Sequence, residues 1–201
     1  MKFLQENCFI SLLLQDVLEN SNTFSCGDTD LDDFFQNDTA KFNAQLLGKS
    51  YCYRLDKDEK MIVCAFTLSN ASVDVRNLPN SRKKKLITDI PREKHISSYP
   101  AMLIGRLGVN KDFGRKGIGT ELLDTIKMIA LDEANWASCR FVTVDAYNNE
   151  NTLKYYENNG FLYLFSTEKQ EKEFIGLSES SELKTRIMYF DLITTKIYTN
   201  N

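Results

Sequence analysis

The sequence predicts an α/β domain, and three stretches predict it. Met102 to Val109 is a short apolar run that passes through a charged turn into a loop with Gly114, Gly117 and Gly119. That loop runs straight into an apolar-periodic stretch from Thr120 to Leu131, so the order is strand, glycine loop, helix. Phe141 to Phe161, FVTVDAYNNENTLKYYENNGF, has the same order: a β-branched strand, a polar turn and a short helix closed by Gly160. Ser50 to Leu55 and Met61 to Val73 read as paired strands around the polar turn Asp56-Lys57-Asp58-Glu59. The chain has 201 residues, 42% of them hydrophobic, which suits one compact domain over 1–201. Thirteen Phe and nine Tyr are enough apolar mass to exclude a disordered chain.

Along the chain, residues 3 to 14 read as a strand. Residues 29 to 46 read as a helix, with Leu31, Phe34, Phe35, Phe42 and Leu46 near helical spacing and Asp28 or Thr29 as N-cap. Residues 76 to 99 form a polar connection with a short helix around Ser81 to Thr88. Gly117 to Asn135 is the helix after the glycine loop. Cys139 to Ala146 is a strand, Asn149 to Asn159 a helix and Phe161 to Ser166 a strand. Residues 167 to 183 read as a charged insertion, and Arg186 to Ile193 as the closing strand.

Composition narrows the function classes. Net charge is −3 and the pI about 5.3, against a dedicated nucleic-acid binder. The dense basic run Arg82-Lys83-Lys84-Lys85 is either a solvated face or a contact to RNA or another polyanion. Cys8, Cys26, Cys52, Cys64 and Cys139 are scattered and form no metal-ligand spacing, as expected of reduced thiols in a cytoplasmic protein without a metal. Phe9 to Leu14 is too short to span a membrane and lacks a signal peptide's basic flank.

The glycine loop is where chemistry is expected. Converging backbone N–H groups and the positive end of a helix dipole suit a pyrophosphate, and Arg115 and Lys116 add two cations. A Walker loop requires Lys and Ser or Thr after its second glycine, whereas Lys116 here precedes Gly117. A dinucleotide fingerprint is G-x-G-x-x-G, and the spacing here is G-x-x-G-x-G. A flexible connection without a ligand is the bland alternative.

Together the two segments resemble the GNAT family of acetyl-CoA-dependent N-acetyltransferases. Gly117 and Gly119 match the glycines of its loop, while Gly114 stands where the family has Gln or Arg. Asn149 and Tyr156-Glu157-Asn158-Asn159-Gly160-Phe161 match its second block at the expected spacing. Phe24-Ser25-Cys26-Gly27, Leu31-Asp32-Asp33-Phe34-Phe35 and Ile104-Gly105-Arg106-Leu107 look like the branch that contains toxin acetyltransferases of aminoacyl-tRNA.

The resemblance implies a mixed central sheet of about seven strands flanked by about four helices. It implies acetyl-CoA as co-substrate, a primary amine as acceptor, no metal and a homodimer. On the toxin branch it implies tRNA as substrate and a small antitoxin-like protein partner. It places the pantetheine arm along Leu107, Gly108 and Val109, and the pyrophosphate on Gly114, Arg115, Lys116, Gly117, Ile118, Gly119 and Thr120. At Gly114 one backbone N–H remains, so pyrophosphate binding can survive, but the contact of the family's side chain is lost. Asn149 caps a helix and reaches the pantetheine or the loop, and Tyr156 is the general acid. The competing readings are a core aromatic for Tyr156, relief of crowding for Gly105 and Gly108, and a non-catalytic acyl-CoA-binding module for the whole. Asp145 and Glu150 are expected to be structural, and His95 an exposed or locally bonded residue.

Overall fold

The computed structural model describes residues 2–76, 78–88, 90–91, 96–135 and 137–195. The expectation for His95 lies outside them. Seven strands, β1 (Cys8–Leu12), β2 (Lys49–Leu55), β3 (Asp58–Asp74), β4 (Ser98–Val109), β5 (Phe141–Tyr147), β6 (Leu162–Tyr163) and β7 (Thr185–Asp191), form one sheet in the order β1-β2-β3-β4-β5-β7-β6, with several helices, as the resemblance implies. The chain divides into two compact units, Met1–Ser69 with Ile104–Ile129 and Asn70–Leu103 with Ala130–Asn201. Strands β3 (Asp58–Asp74) and β4 (Ser98–Val109) contribute to both.

In the first unit, β1 (Cys8–Leu12) pairs antiparallel with β2 (Lys49–Leu55) from Cys8↔Leu55 to Leu12↔Tyr51. β2 pairs antiparallel with β3, and the hairpin is tighter than expected: Leu55 faces Asp58, leaving Asp56 and Lys57 at its tip. The expected strand over 3–14 is instead α1 (Phe3–Asn7) followed by β1, and α2 (Gln15–Asn20) comes next. The cause is a distant carboxylate. Glu121 accepts from the N–H groups of Leu4 and Gln5, each at 3.0 Å, and satisfies donors that α1 leaves open.

The predicted helix over 29–46 begins as expected, on an Asp28 side chain that accepts from the Asp30 and Leu31 N–H groups. It then runs as α3 (Thr29–Asp33), a π-helical turn (Phe34–Asp38) and α4 (Thr39–Ala44). Phe34 and Phe35, adjacent in sequence, are both buried in that wider turn. Phe24, Phe35, Phe34 and Phe42 stack edge to face with centroid spacings of 5.6, 5.6 and 5.5 Å. Leu46 corrects the predicted apolar face: it lies past the helix at φ 56°, 91% exposed. The last helix of this unit, α6 (Ile118–Leu131), starts after the glycine loop and stops four residues short of the predicted Asn135. It buries Ile118, Leu122, Leu123 and Ile126.

In the second unit, β5 (Phe141–Tyr147) pairs antiparallel with β7 (Thr185–Asp191) from Phe141↔Asp191 to Tyr147↔Thr185. β6 is only Leu162–Tyr163, shorter than the predicted 161–166, and pairs with β7 through Leu162↔Tyr189. α5 (Asn80–Ile87) and α7 (Glu150–Asn158) lie close to their predicted positions. The core here is built on Val73, Val75, Leu86, Ile87, Tyr99, Phe141, Phe165 and Tyr189.

The supposed charged insertion contains α8 (Glu168–Phe174), whose Glu171 is 1% exposed. One Glu171 oxygen accepts from Arg186 Nε at 2.6 Å and the other from the Ile187 N–H, while Arg186 Nη2 donates to the Phe165 carbonyl. The Arg186 guanidinium also lies 4.7 Å from the Tyr163 ring centroid. Burial raises the Glu171 carboxyl above its ordinary range against the pull of the Ile187 N–H and Arg186.

Removing one member of a buried pair leaves the other charged and unpaired, at a cost of about 3–5 kcal/mol. Glu171→Ala is expected to lower the unfolding free energy by that amount, read from the denaturant midpoint. The double variant Glu171→Leu/Arg186→Met should recover most of it; a Glu171→Ala midpoint within error of wild type contradicts the pair's role.

Candidate active site

The first unit carries the glycine loop. β4 ends at Val109, and Asn110 fixes the point where strand becomes loop. Its side chain is 5% exposed. Nδ2 donates to the Ile62 carbonyl at 2.9 Å, Oδ1 accepts from the Asp112 N–H at 3.1 Å, and the Asn110 N–H donates to the Val63 carbonyl at 2.9 Å. The Lys111 N–H donates to the Ser25 carbonyl, tying the loop to the N-terminal block. A 3₁₀ turn over Lys111–Phe113 follows.

The loop then turns through two left-handed positions, Arg115 at φ 59° and Gly117 at φ 76°, and enters α6. Lys111, Asp112 and the stretch from Gly114 to Gly117 are exposed. Among the described residues, the N–H groups of Arg115, Lys116 and Gly117 donate to no protein acceptor, beside the open first turn of α6. The Gly114 N–H differs: it donates to the Lys111 carbonyl at 3.2 Å. This N–H is therefore already engaged within the loop. Lys116 folds back as well, its Nζ 3.2 Å from the Asp112 carbonyl and 5.2 Å from the Phe113 centroid. Arg115 is exposed, and its side chain makes no hydrogen bond or ion pair among the described residues.

Leu107, Gly108 and Val109 are the last three residues of β4. The two strand glycines have different reasons. A Cβ built on Gly108 meets Cys26 Cβ and Sγ at 3.1 Å and Phe24 Cζ at 3.3 Å, so the close neighbour is the N-terminal block. On Gly105 the nearest atom is 3.9 Å away. That block is held by Asp32, which accepts from Ser25 Oγ and from the Cys26 N–H, both at 2.7 Å. Burial raises the Asp32 carboxyl, but the Cys26 N–H and Ser25 hydroxyl outweigh it and hold it below its ordinary value. Burial pushes the Cys26 thiol up to about 11, which keeps it an unreactive neutral group. Sequence reasoning missed Asn110. Its bond to Asp112 is a local Asx turn that the sequence could have signalled, but its bond to Ile62 has no local signature.

The second unit carries α7. Asn149 is its N-cap, with the side chain accepting from the Thr152 N–H at 3.0 Å. Gly160, at φ 83°, ends the helix, and the Phe161 N–H donates to the Tyr156 carbonyl at 3.0 Å. Tyr156 is 6% exposed, its ring edge-on to Tyr155 at 5.0 Å and to Phe161 at 5.3 Å. Burial pushes its phenol well above the ordinary value, so it is protonated at neutral pH. Among the described residues its hydroxyl has no hydrogen-bond partner. The ring packs into the core of this unit, and the phenol stays protonated at neutral pH. Glu150 is exposed and pairs with Lys154 at 2.6 Å, a helix-surface ion pair. No group of three or more His, Cys, Asp or Glu among the described residues is placed to hold a metal ion.

Residues 86–162 match the model of the family described as Acetyltransferase (GNAT) domain. A search of curated protein sequences finds no match to the chain. Among solved structures, AtaT complexed with acetyl-methionyl-tRNAfMet is similar at a TM-score of 0.70 and 17% identity, covering 96% of this chain and 99% of that one. A tyrosine-to-phenylalanine mutant of KacT matches at 0.70 and 16%, and AtaTR bound with AcCoA at 0.68 and 16%, each with the same coverage.

A methyl on Gly108 has nowhere to go without moving Phe24 and Cys26, and overpacking typically costs ~1–3 kcal/mol. Gly108→Ala is expected to lower the melting temperature by several degrees and Gly105→Ala by much less. Equal shifts in the two variants contradict the packing of the N-terminal block on β4.

Proposed function

We propose that this chain, whose residues 86–162 match the GNAT acetyltransferase domain, transfers acetyl from acetyl-CoA to the primary amine of an aminoacyl-tRNA. The observation that carries the first half is the loop after β4: exposed, left-handed at Arg115 and Gly117, with unengaged N–H groups at the start of a helix. The acceptor is drawn from the neighbours, since AtaT is seen with acetyl-methionyl-tRNAfMet. AtaT is also seen bound to the C-terminus of the antitoxin AtaR, and by the same reasoning a small protein neutralises this chain. A homodimer belongs to the same reading.

Each residue then has a task. Arg115, Lys116, Gly117, Ile118, Gly119 and Thr120 hold the pyrophosphate by backbone N–H groups, helix dipole and the Arg115 charge, with Gly114 shaping the turn. Leu107, Gly108 and Val109 line the pantetheine arm, and main chain near Val109 donates to the carbonyl oxygen as it becomes an oxyanion. Asn149 fixes the start of α7 and so the position of Tyr156. The neutral amine attacks the thioester carbon, a C–N bond forms and the C–S bond breaks. The amine's proton leaves through water. The thiolate, with a pKa near ~8.5 when free in water, takes the Tyr156 proton.

Two measurements separate this from a non-catalytic acyl-CoA-binding module. Tyr156→Phe is expected to cut kcat by about 10²–10⁴-fold with acetyl-CoA affinity unchanged, and Tyr155→Phe to stay near wild type. A Tyr156→Phe enzyme within a few-fold of wild type, or one whose loss tracks a lowered melting temperature, returns Tyr156 to the core.

The pH profile tests the same group. A raised phenol pKa keeps the acid protonated to higher pH, so activity should show no alkaline fall below about pH 10, the ordinary tyrosine value. A kcat that halves between about pH 8 and 9, well under that value, contradicts it. For the cofactor, Gly119→Val should abolish acetyl-CoA binding by calorimetry, and unchanged affinity refutes the placement.

A further inference from the structure

We infer that α5 is an RNA-backbone grip, a surface that holds the phosphates of a structured RNA; this rests on the aminoacyl-tRNA reading above. The chain is acidic overall, yet the eight residues of α5, NSRKKKLI, hold four cations and no acid. Lys84 and Lys85 are exposed and Lys83 is half-buried. Among the described residues, none of the three lysines has an ion-pair partner. Arg82 is different, since its Nε donates to Ser166 Oγ at 2.8 Å and so ties α5 to the chain after β6. Lysines in the last turn also answer the helix dipole, but that accounts for one or two charges, not an unbroken run.

The orientation of α5 decides what kind of polyanion it suits. Its apolar residues, Leu86 and Ile87, are 4% and 8% exposed and belong to the core of the second unit. The helix therefore offers charge without an apolar face, which is the opposite of an amphipathic membrane helix. Pro79, just before its first turn, helps line a cavity of about 460 Å³ with Arg76, Leu78, Phe165, Gln170, Glu173 and Phe174. A helix whose apolar residues are spent in the core and whose lysines face solvent suits the phosphate backbone of a folded RNA.

The test is salt-dependent binding of fluorescently labelled, deacylated bulk tRNA to the full chain. Lys83→Ala/Lys84→Ala/Lys85→Ala is compared with Lys49→Ala/Lys57→Ala/Lys60→Ala, which changes net charge equally at exposed positions elsewhere. Each lost phosphate contact reduces the slope of log affinity against log salt by about 0.7–0.9. The α5 variant is expected to lose about 2 from that slope and on the order of tenfold or more in affinity, at an unchanged melting temperature, while the control variant stays close to wild type. An α5 variant that keeps the wild-type slope overturns the proposal. So does tighter binding of poly-glutamate or anionic phospholipid vesicles through the same lysines. If wild type grips deacylated tRNA through α5 but acetylates no charged tRNA, this surface stands and the acceptor reading fails. If charged tRNA is acetylated and the α5 variant binds like wild type, the reverse holds.

Discussion

Asn110 is the constraint on which the proposed acetyl-CoA loop depends. A phosphate loop works only if its N–H groups point to one place, and that needs a fixed origin. The buried Asn110 side chain bonds the Ile62 carbonyl on one side and the Asp112 N–H on the other, so strand, turn and neighbouring strand share one joint. Everything downstream inherits that origin: the 3₁₀ turn, the left-handed positions at Arg115 and Gly117, and the first turn of α6. A buried amide that lost one of these partners would carry an unmet polar group costing about 1–3 kcal/mol, so the joint has little slack.

The N-terminal block supports the same joint from outside. Asp32 gathers Ser25 and Cys26, the Ser25 carbonyl accepts from the Lys111 N–H, and Phe24 and Cys26 sit against Gly108. Glu121, in the first turn of α6, reaches back to the first residues of α1. The segments around Phe24 and Asp32 that resemble one branch of the family are thus not a separate feature. They brace the strand end and the loop.

What could be read from sequence was what is local. The Asp28 and Asn149 caps act over three residues, Gly160 ends its own helix, and the glycine loop lies between its strand and helix. What could not be read rests on partners far along the chain. Glu121 meets Leu4 across 117 positions, Asn110 meets Ile62 across 48 and Arg186 meets Glu171 across 15. Those three bonds account for the largest surprises: a helix where a strand was expected, an asparagine whose bond to a distant strand has no local signature, and a buried acid inside a stretch that looked solvated. Leu46 failed for another reason, since helical spacing says nothing about where a helix stops. Gly114 taught the reverse lesson: its N–H was there to be counted, but only the structure shows it already engaged by Lys111.

The central claim is that acetyl-CoA lies on the loop and along the end of β4. The most direct measurement is a titration of the ¹⁵N-labelled chain with acetyl-CoA, following backbone amide resonances. The account predicts the largest shifts at Arg115, Lys116, Gly117 and Gly119, with a second group at Leu107, Gly108 and Val109, and none of comparable size at α5. Saturating binding that leaves those loop and strand amides unmoved would contradict it.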